Sequence, residues 1–138
     1  MPFERAVHLA WSGDGLAFEG HGTEPASPAI AIDGDGATGP GPMQALLLAA
    51  AGCTGSDVVL ILRKMRVTLH RLEVDVVGVR RDEEPRRYIE LRLRFTLAGE
   101  GLDRAKAERA VTLSLEKYCS VVHSLAPDIP VRHEIVLA

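Results

Sequence analysis

The longest apolar stretch of the chain covers residues 41–66, GPMQALLLAAAGCTGSDVVLILRKMR, and it constrains the fold more than any other feature. Pro42 stands where the first turn of a helix tolerates a missing N–H, and Gly41 before it can serve as a permissive cap. Apolar side chains then occupy nearly every face of the helix, which is typical of a buried helix. The stretch therefore predicts one long central helix around which the rest of the chain packs.

The same stretch is about long enough to cross a bilayer, since roughly 20 apolar residues suffice. Small and polar residues at positions 52–57, ending in Asp57, interrupt the apolar run, and no other segment has comparable length. A central helix of a soluble fold is therefore favoured over a membrane span. Gly52 and Gly55 each cost a helix ~1 kcal/mol relative to alanine. We expect another element to approach closely there.

Length and charge narrow the class of protein. The 138 residues suit a single domain, residues 1–138, that can bury most of its apolar surface. With 16 basic and 19 acidic side chains the net charge is −3, which gives no reason to expect a nucleic acid or an anionic membrane as partner. The first residues show no basic start followed by an apolar core, so no signal peptide is expected. The prediction is a cytoplasmic protein with two reduced thiols.

The remaining segments show either the two-residue period of a strand or the pattern of a helix. Residues 5–11, 16–19 and 29–33 read as strands before the central helix, and residues 72–78 and 88–97 as a hairpin after it. Gly78 indicates a bulge or a close contact. A second helix begins after Asp103 as N-cap and ends near Tyr118, followed by a short helical piece at 120–125 and a last strand at 131–137. This order predicts an α+β fold with mostly antiparallel sheets.

The two cysteines occupy unusual places. Cys53 lies among glycines and hydroxyl side chains of the central helix, and Cys119 lies at the junction between the second helix and the short one. Cysteine is often only a small core residue. A thiol at the start of a helix, however, has its thiolate stabilised by unpaired N–H groups. The residues alone leave both passive packing and reactive chemistry open.

Two motifs extend this interpretation. GPGPMQALLLAAAGCTGSDVVLIL, followed by an alternating hairpin and then by AVTLSLEKYCSVVHSL, resembles the OsmC/Ohr family of thiol-dependent hydroperoxide reductases, and most of all its OsmC-like branch. The resemblance covers residues 5–137. It implies an OsmC-like fold with sheets around a long central helix, and an intertwined homodimer. It also implies an oxidative-stress role in which Cys53 attacks the peroxide, Cys119 resolves the intermediate, and an external dithiol restores both without a cofactor.

Two departures from the family pattern support an alternative. The well-studied peroxidases place an arginine just after the first strand and a glutamate ten residues before the reactive cysteine. Here residues 12–15 read SGDG, and Met43 occupies the second position. A buried thiol without a nearby cation has a raised pKa. The alternative is a non-catalytic, dimeric OsmC-like protein that binds a small apolar molecule, or a redox sensor.

Two further side chains near the cysteines are candidates to influence the thiols. Asp57 follows Cys53 by four residues, where its carboxylate would discourage thiolate formation, and it is a candidate to cap backbone or to bond Thr54. His123 follows Cys119 by four residues and is a candidate to polarise that thiol. The histidines show no metal-ligand spacing, so the sequence predicts no metal site. They are His8, His21, His70, His123 and His133.

Overall fold

A computed structural model describes residues 2–138. The chain divides into two compact units, one reaching to Leu46 and the other formed by Leu47–Ala138. Each unit has its own three-stranded sheet. That the chain is a single domain stays a prediction.

The first unit is an antiparallel sheet in the order β1-β2-β3. Its strands are β1 (Val7–Trp11), β2 (Ala17–Gly22) and β3 (Ala29–Asp33). The predicted hairpin is confirmed: the indole Nε1 of Trp11 donates to the carbonyl of Gly15 at 3.0 Å across the turn. Strand β2 runs further than the predicted residues 16–19, whereas β3 has its predicted bounds.

Asp33 organises the loop that leads out of the first unit's sheet. Its carboxylate accepts hydrogen bonds from the backbone N–H groups of Asp35, Ala37 and Thr38 at 2.8, 3.2 and 3.0 Å, and from the Thr38 hydroxyl at 3.0 Å. These donors, the N–H of Asp35 first among them, lower the pKa of Asp33. The Asp33 N–H donates to Pro40 at 2.9 Å. One carboxylate therefore sets the path of residues 34–40 into the central helix.

The central helix, α1, is Pro42–Lys64. Its buried residues recur every three or four positions: Ala50, Thr54, Gly55, Val58 and Leu62. A Cβ added at Gly55 would lie 3.8 Å from Val74, so this face packs on the second sheet. The opposite face is open within the single chain, where Leu48 is 61% and Leu60 is 52% exposed. The prediction of a buried helix is therefore confirmed for one face of α1.

Among residues 2–138, α1 is the helix with the length and hydropathy of a possible membrane span. This property is weak evidence, because the core helix of a soluble protein has it too. Asp57 interrupts the apolar run at mid-helix, and its side chain is committed to a hydrogen bond described below. Hydropathy alone therefore does not define the environment of α1, whereas its packing on the second sheet does.

The second unit has a sheet in the order β4-β5-β6. Its strands are β4 (Thr68–Arg80), β5 (Tyr88–Glu100) and β6 (Val131–Leu137). Strand β5 pairs antiparallel with β4 and parallel with β6. Alternate residues of β5 form the core, namely Leu91, Leu93, Phe95 and Leu97. The hairpin is longer than predicted, and the prediction of mostly antiparallel sheet is confirmed.

Gly78 of β4 marks a close contact. A Cβ added there would lie 2.7 Å from Cδ1 of Tyr88 and 3.0 Å from Cδ2 of Leu47. The register shift lies one residue further on, between Val79 and Arg80. Of the two predicted reasons for this glycine, the close contact is therefore the one observed at Gly78 itself.

The last turn of the second helix differs from its prediction. Asp103 is the N-cap of α2 (Arg104–Leu113), as expected, and its side chain accepts from the Lys106 N–H at 2.8 Å. The chain then widens into a π-helical turn, Ser114–Tyr118, closed by a hydrogen bond of 2.7 Å from the Cys119 N–H to the Ser114 carbonyl. Helix α3, Ser120–His123, follows directly and is shorter than predicted. The predicted end of the helix near Tyr118 is thus confirmed, but its last turn, Ser114–Tyr118, is π-helical.

Candidate functional site

The structure brings the two predicted cysteines together within the second unit. Cys53 lies on α1 and is half-buried, whereas Cys119 follows the π-helical turn and is fully buried. Their sulfur atoms and a carboxylate oxygen of Asp57 lie within 4.8 Å of one another. We call Cys53, Asp57 and Cys119 the thiol cluster. Cys53 and Asp57 share a face of α1 because residues four apart are neighbours on a helix.

Cys119 is placed by the local irregularity of the chain. The i to i+5 hydrogen bond at Ser114 ends the helix, and Cys119 itself is extended, with φ −70° and ψ 101°. Single π-helical turns are rare and occur often at functional sites. This turn directs the Cys119 side chain inward, against the cysteine side of α1.

Thr54 is a partner of Cys119 that the sequence analysis missed. Its hydroxyl oxygen lies 3.2 Å from the Cys119 sulfur, and both residues are fully buried. Thr54 directly follows Cys53 in the GCT motif, so this motif carries one thiol and contacts the other. The sequence signal was present in that motif, but only the packing of α1 against Cys119 assigns the hydroxyl its role.

The environment of Cys119 favours the neutral thiol. Burial raises the pKa of Cys119, and the neighbouring Cys53 acts in the same direction. The Thr54 hydroxyl and the Val122 N–H oppose this effect by stabilising the thiolate. Val122 lies in the first turn of α3, where the Cys119 side chain makes no capping hydrogen bond. The expected thiolate stabilisation at a helix start is therefore present but is outweighed by burial.

Asp57 is held by Ser114, the residue that opens the π-helical turn. The Ser114 hydroxyl donates to Oδ2 of Asp57 at 2.8 Å, and Ser114 is fully buried. The hypothesis that Asp57 bonds Thr54 is therefore wrong, since Thr54 contacts Cys119 instead. The Ser114–Asp57 bond joins the helix of Cys53 to the turn that carries Cys119.

His123 does not take the role suggested for it. Its Nε2 lies 3.1 Å from the carbonyl oxygen of Leu115, to which it must donate because a carbonyl only accepts. The ring is thus directed back along the π-helical turn and not to the Cys119 thiol. His133, in contrast, pairs with Glu108 on the surface at 2.6 Å.

Within the described unit Leu47–Ala138, neither thiol nor Asp57 is hydrogen-bonded to an arginine. A hollow of about 420 Å³ in the same unit is bordered by charged residues of the second sheet, including Asp75, Arg92 and Arg132. It contains neither cysteine. Of the two thiols, Cys53 is the more exposed.

The comparison with known families decides the assignment of the fold. Residues 34–134 match the family model described as OsmC-like protein, a segment that contains α1, both cysteines and most of the second sheet. The chain belongs to the OsmC-like family. The resemblance to this family and the predicted α+β, OsmC-like fold are therefore confirmed, whereas the intertwined homodimer stays a prediction.

Individual proteins are similar to this chain over nearly its whole length. Protein YhfA of Escherichia coli K12 is 40% identical over 128 residues, which cover 91% of this chain and 94% of YhfA. The crystal structure of an OsmC-like protein from Mycoplasma pneumoniae has a TM-score of 0.83 at 16% identity, covering 100% of this chain and 99% of that one.

The organic hydroperoxide resistance protein OhrB of Bacillus subtilis has a TM-score of 0.60 at 20% identity, covering 96% of this chain and 98% of OhrB. At these identities the two structures show a shared fold.

Proposed function

We propose that this OsmC-like protein reduces organic hydroperoxides with Cys53 and Cys119. The observation that carries the proposal is the separation of no more than 4.8 Å between the two sulfur atoms. A disulfide bond is about 2.05 Å long, so the sulfurs must approach by about 3 Å at most. The family also includes proteins named for organic hydroperoxide resistance, such as OhrB.

Burial assigns a different role to each thiol. Cys53 is the more exposed of the two thiols, and it is proposed as the catalytic residue that attacks the peroxide. Cys119 is fully buried, and burial raises the pKa of its thiol. A thiol that a solute cannot reach suits the resolving role. The exposed apolar side chains of α1, such as Leu48 and Leu60, favour an alkyl hydroperoxide over hydrogen peroxide.

The chemistry balances without a cofactor. The Cys53 thiolate attacks the outer oxygen of ROOH, the O–O bond breaks, and RO⁻ takes a proton to leave as the alcohol ROH. The Cys53 sulfenic acid then condenses with the Cys119 thiol to give the disulfide and one water. An external dithiol reduces that disulfide by exchange and is itself oxidised.

The proposal includes the form in which the protein works. A second copy of the chain is proposed to cover the open face of α1, since large exposed apolar faces mark interaction sites. The proposed compartment is the cytoplasm, where a dithiol reductant is present. A homodimer would also enclose the thiol cluster more fully and could bring a cation to it.

Single-turnover chemistry tests the proposal. Reduced protein is mixed with one equivalent of cumene hydroperoxide, and the alcohol and the protein mass are measured. We expect one cumyl alcohol per chain, a loss of two hydrogens, and a Cys53–Cys119 disulfide by peptide mapping. In Cys119→Ser the Cys53 sulfenic acid should accumulate and react with dimedone, whereas Cys53→Ser should form no alcohol. Alcohol formation in Cys53→Ser would overturn the assignment.

A redox sensor or non-catalytic binder is the second candidate. It is favoured by the finding that, within Leu47–Ala138, no arginine is hydrogen-bonded to the thiol cluster. A sensor would form one disulfide per chain and stop, even with excess dithiol. A binder would take up the hydroperoxide or an apolar analogue without forming alcohol.

A further inference from the structure

We infer that Cys53, Asp57 and Cys119 form a three-ligand site for Zn²⁺. All three side chains offer donor atoms that zinc binds in proteins, namely two sulfurs and one carboxylate oxygen. These atoms lie within 4.8 Å of one another. The inference uses the sulfurs of the proposed peroxidase but does not depend on any reaction with peroxide.

The three donor atoms would need to move only a little to bind one zinc ion. With Zn–S bonds of about 2.3 Å, the donors of a tetrahedral site are about 3.7 Å apart. The donor atoms of the thiol cluster must therefore close by about 1 Å at most. Cys53 and Asp57 lie one turn apart on the rigid helix α1, so two of the three ligands are already aligned. A rotation of the half-buried Cys53 side chain would bring its sulfur toward the other two donors.

The surroundings resemble the outer shell of a metal centre. The Ser114 hydroxyl donates to Oδ2 of Asp57 at 2.8 Å, which fixes the carboxylate. The Thr54 hydroxyl lies 3.2 Å from the Cys119 sulfur. Hydrogen bonds of this kind orient ligands in known sites and influence the affinity for the metal. Both contacts come from residues that are fully buried.

The donor set selects the metal. Two sulfurs exclude Mg²⁺ and Ca²⁺, which prefer oxygen ligands only. Cu⁺ would be satisfied by the two thiolates and would leave Asp57 unused. Zn²⁺ uses all three donors and keeps a fourth position for water, as at zinc sites with three protein ligands. Binding replaces both thiol protons, so two protons are released for each zinc bound.

Metal titration of the reduced, metal-free protein tests the inference in the absence of peroxide. Calorimetry should give one Zn²⁺ per chain, with release of about two protons. Co²⁺ should give the intense sulfur-to-cobalt absorption of a two-thiolate tetrahedral site, and Zn²⁺ should abolish it. This readout needs no variant. No binding, or a cobalt spectrum without the sulfur band, would overturn the inference.

Matched variants separate this site from adventitious binding. Asp57→Asn should weaken Zn²⁺ binding at least ~10-fold, whereas the same change at the exposed Asp82 should have no effect. Ser114→Ala should weaken it ~10-fold to 100-fold, as for lost outer-shell partners. Its control is Ser56→Ala, which removes a hydroxyl bonded only to Gly52. Zinc affinity that is unchanged in Asp57→Asn would contradict a three-ligand site.

The outcome is distinguishable from that of the proposed function. Peroxide reduction is measured with a chelator present, and metal binding is measured without peroxide. A protein that binds zinc but forms no alcohol would support the metal site and remove the peroxidase proposal. A protein that reduces peroxide but binds no zinc would support the peroxidase proposal and remove the metal site.

Discussion

The hydroxyl oxygen of Thr54 lies 3.2 Å from the sulfur of Cys119, although the two residues are 65 positions apart. Both side chains are fully buried, so this bond satisfies two polar groups that water does not reach. It also holds the Cys119 sulfur beside the cysteine-bearing face of α1. Thr54 is therefore a positioning residue for the thiol cluster.

Replacing Thr54 by valine should destabilise the protein and loosen Cys119. Valine keeps the shape of the side chain but removes the hydroxyl, so the free energy of unfolding should fall by about 1 kcal/mol. Urea denaturation under reducing conditions measures this. Thr54→Ser should recover most of the loss because it restores the hydroxyl. Equal stability of Thr54→Val and wild type would contradict the assigned bond.

The stability of the reduced protein should decrease above the ordinary thiol pKa of about 8.5. Burial raises the pKa of Cys119 in the folded state, so below that pH the thiol is neutral in both states and its contribution is fully present. As the pH rises, the unfolded thiol ionises first, and the contribution is lost on approach to the folded pKa. Denaturation between pH 7.5 and 9.5 should therefore show a steeper decline for wild type than for Cys119→Ala. Parallel curves would show that the pKa of Cys119 is not raised.

Gly78→Ala should destabilise the second unit. The new Cβ would lie 2.7 Å from Cδ1 of the buried Tyr88 and 3.0 Å from Cδ2 of the half-buried Leu47, so these side chains would have to shift. Overpacking of this kind costs about 1–3 kcal/mol. Gly52→Ala is the control, since an added Cβ there meets nothing within 4 Å and alanine favours a helix. Thermal denaturation should show a lower melting temperature for Gly78→Ala and not for Gly52→Ala.

Charge on the open face of α1 should disrupt the proposed dimer. Leu48 and Leu60 are 61% and 52% exposed in the single chain, and a double change to glutamate would place two carboxylates in the proposed interface. Light scattering at micromolar concentration should show a dimer for wild type and a monomer for the variant. Val77→Glu, at a position 49% exposed on β4, should remain dimeric. A monomeric wild type would remove the dimer proposal.

Features set by neighbouring residues were predictable from the sequence. Strands β3 and β6 have the predicted bounds because turn residues and prolines flank a short alternating pattern. The N-cap Asp103 could be predicted because its partner is only three residues away. The length of α1 followed from its apolar composition, but which of its faces is buried depends on the sheet beneath it.

Features set by distant residues were not predictable. The bond from Ser114 to Asp57 spans 57 positions, and no local pattern marks the π-helical turn that it accompanies. The parallel pairing of β5 with β6 likewise depends on where the chain returns after α3. The family resemblance named Cys53 and Cys119, but the partners that orient them came only from the packing.

Steady-state turnover tests the proposed function most directly. Reduced protein, excess dithiol, a chelator and cumene hydroperoxide are combined, and alcohol formation is followed for wild type and for Cys53→Ser. The proposal predicts many alcohols per chain for wild type and none above background for the variant, with Ser56→Ala unchanged as the matched helix control. Wild-type alcohol that stops at one per chain would contradict catalytic turnover, and alcohol that persists in Cys53→Ser would contradict peroxide reduction by the Cys53–Cys119 pair.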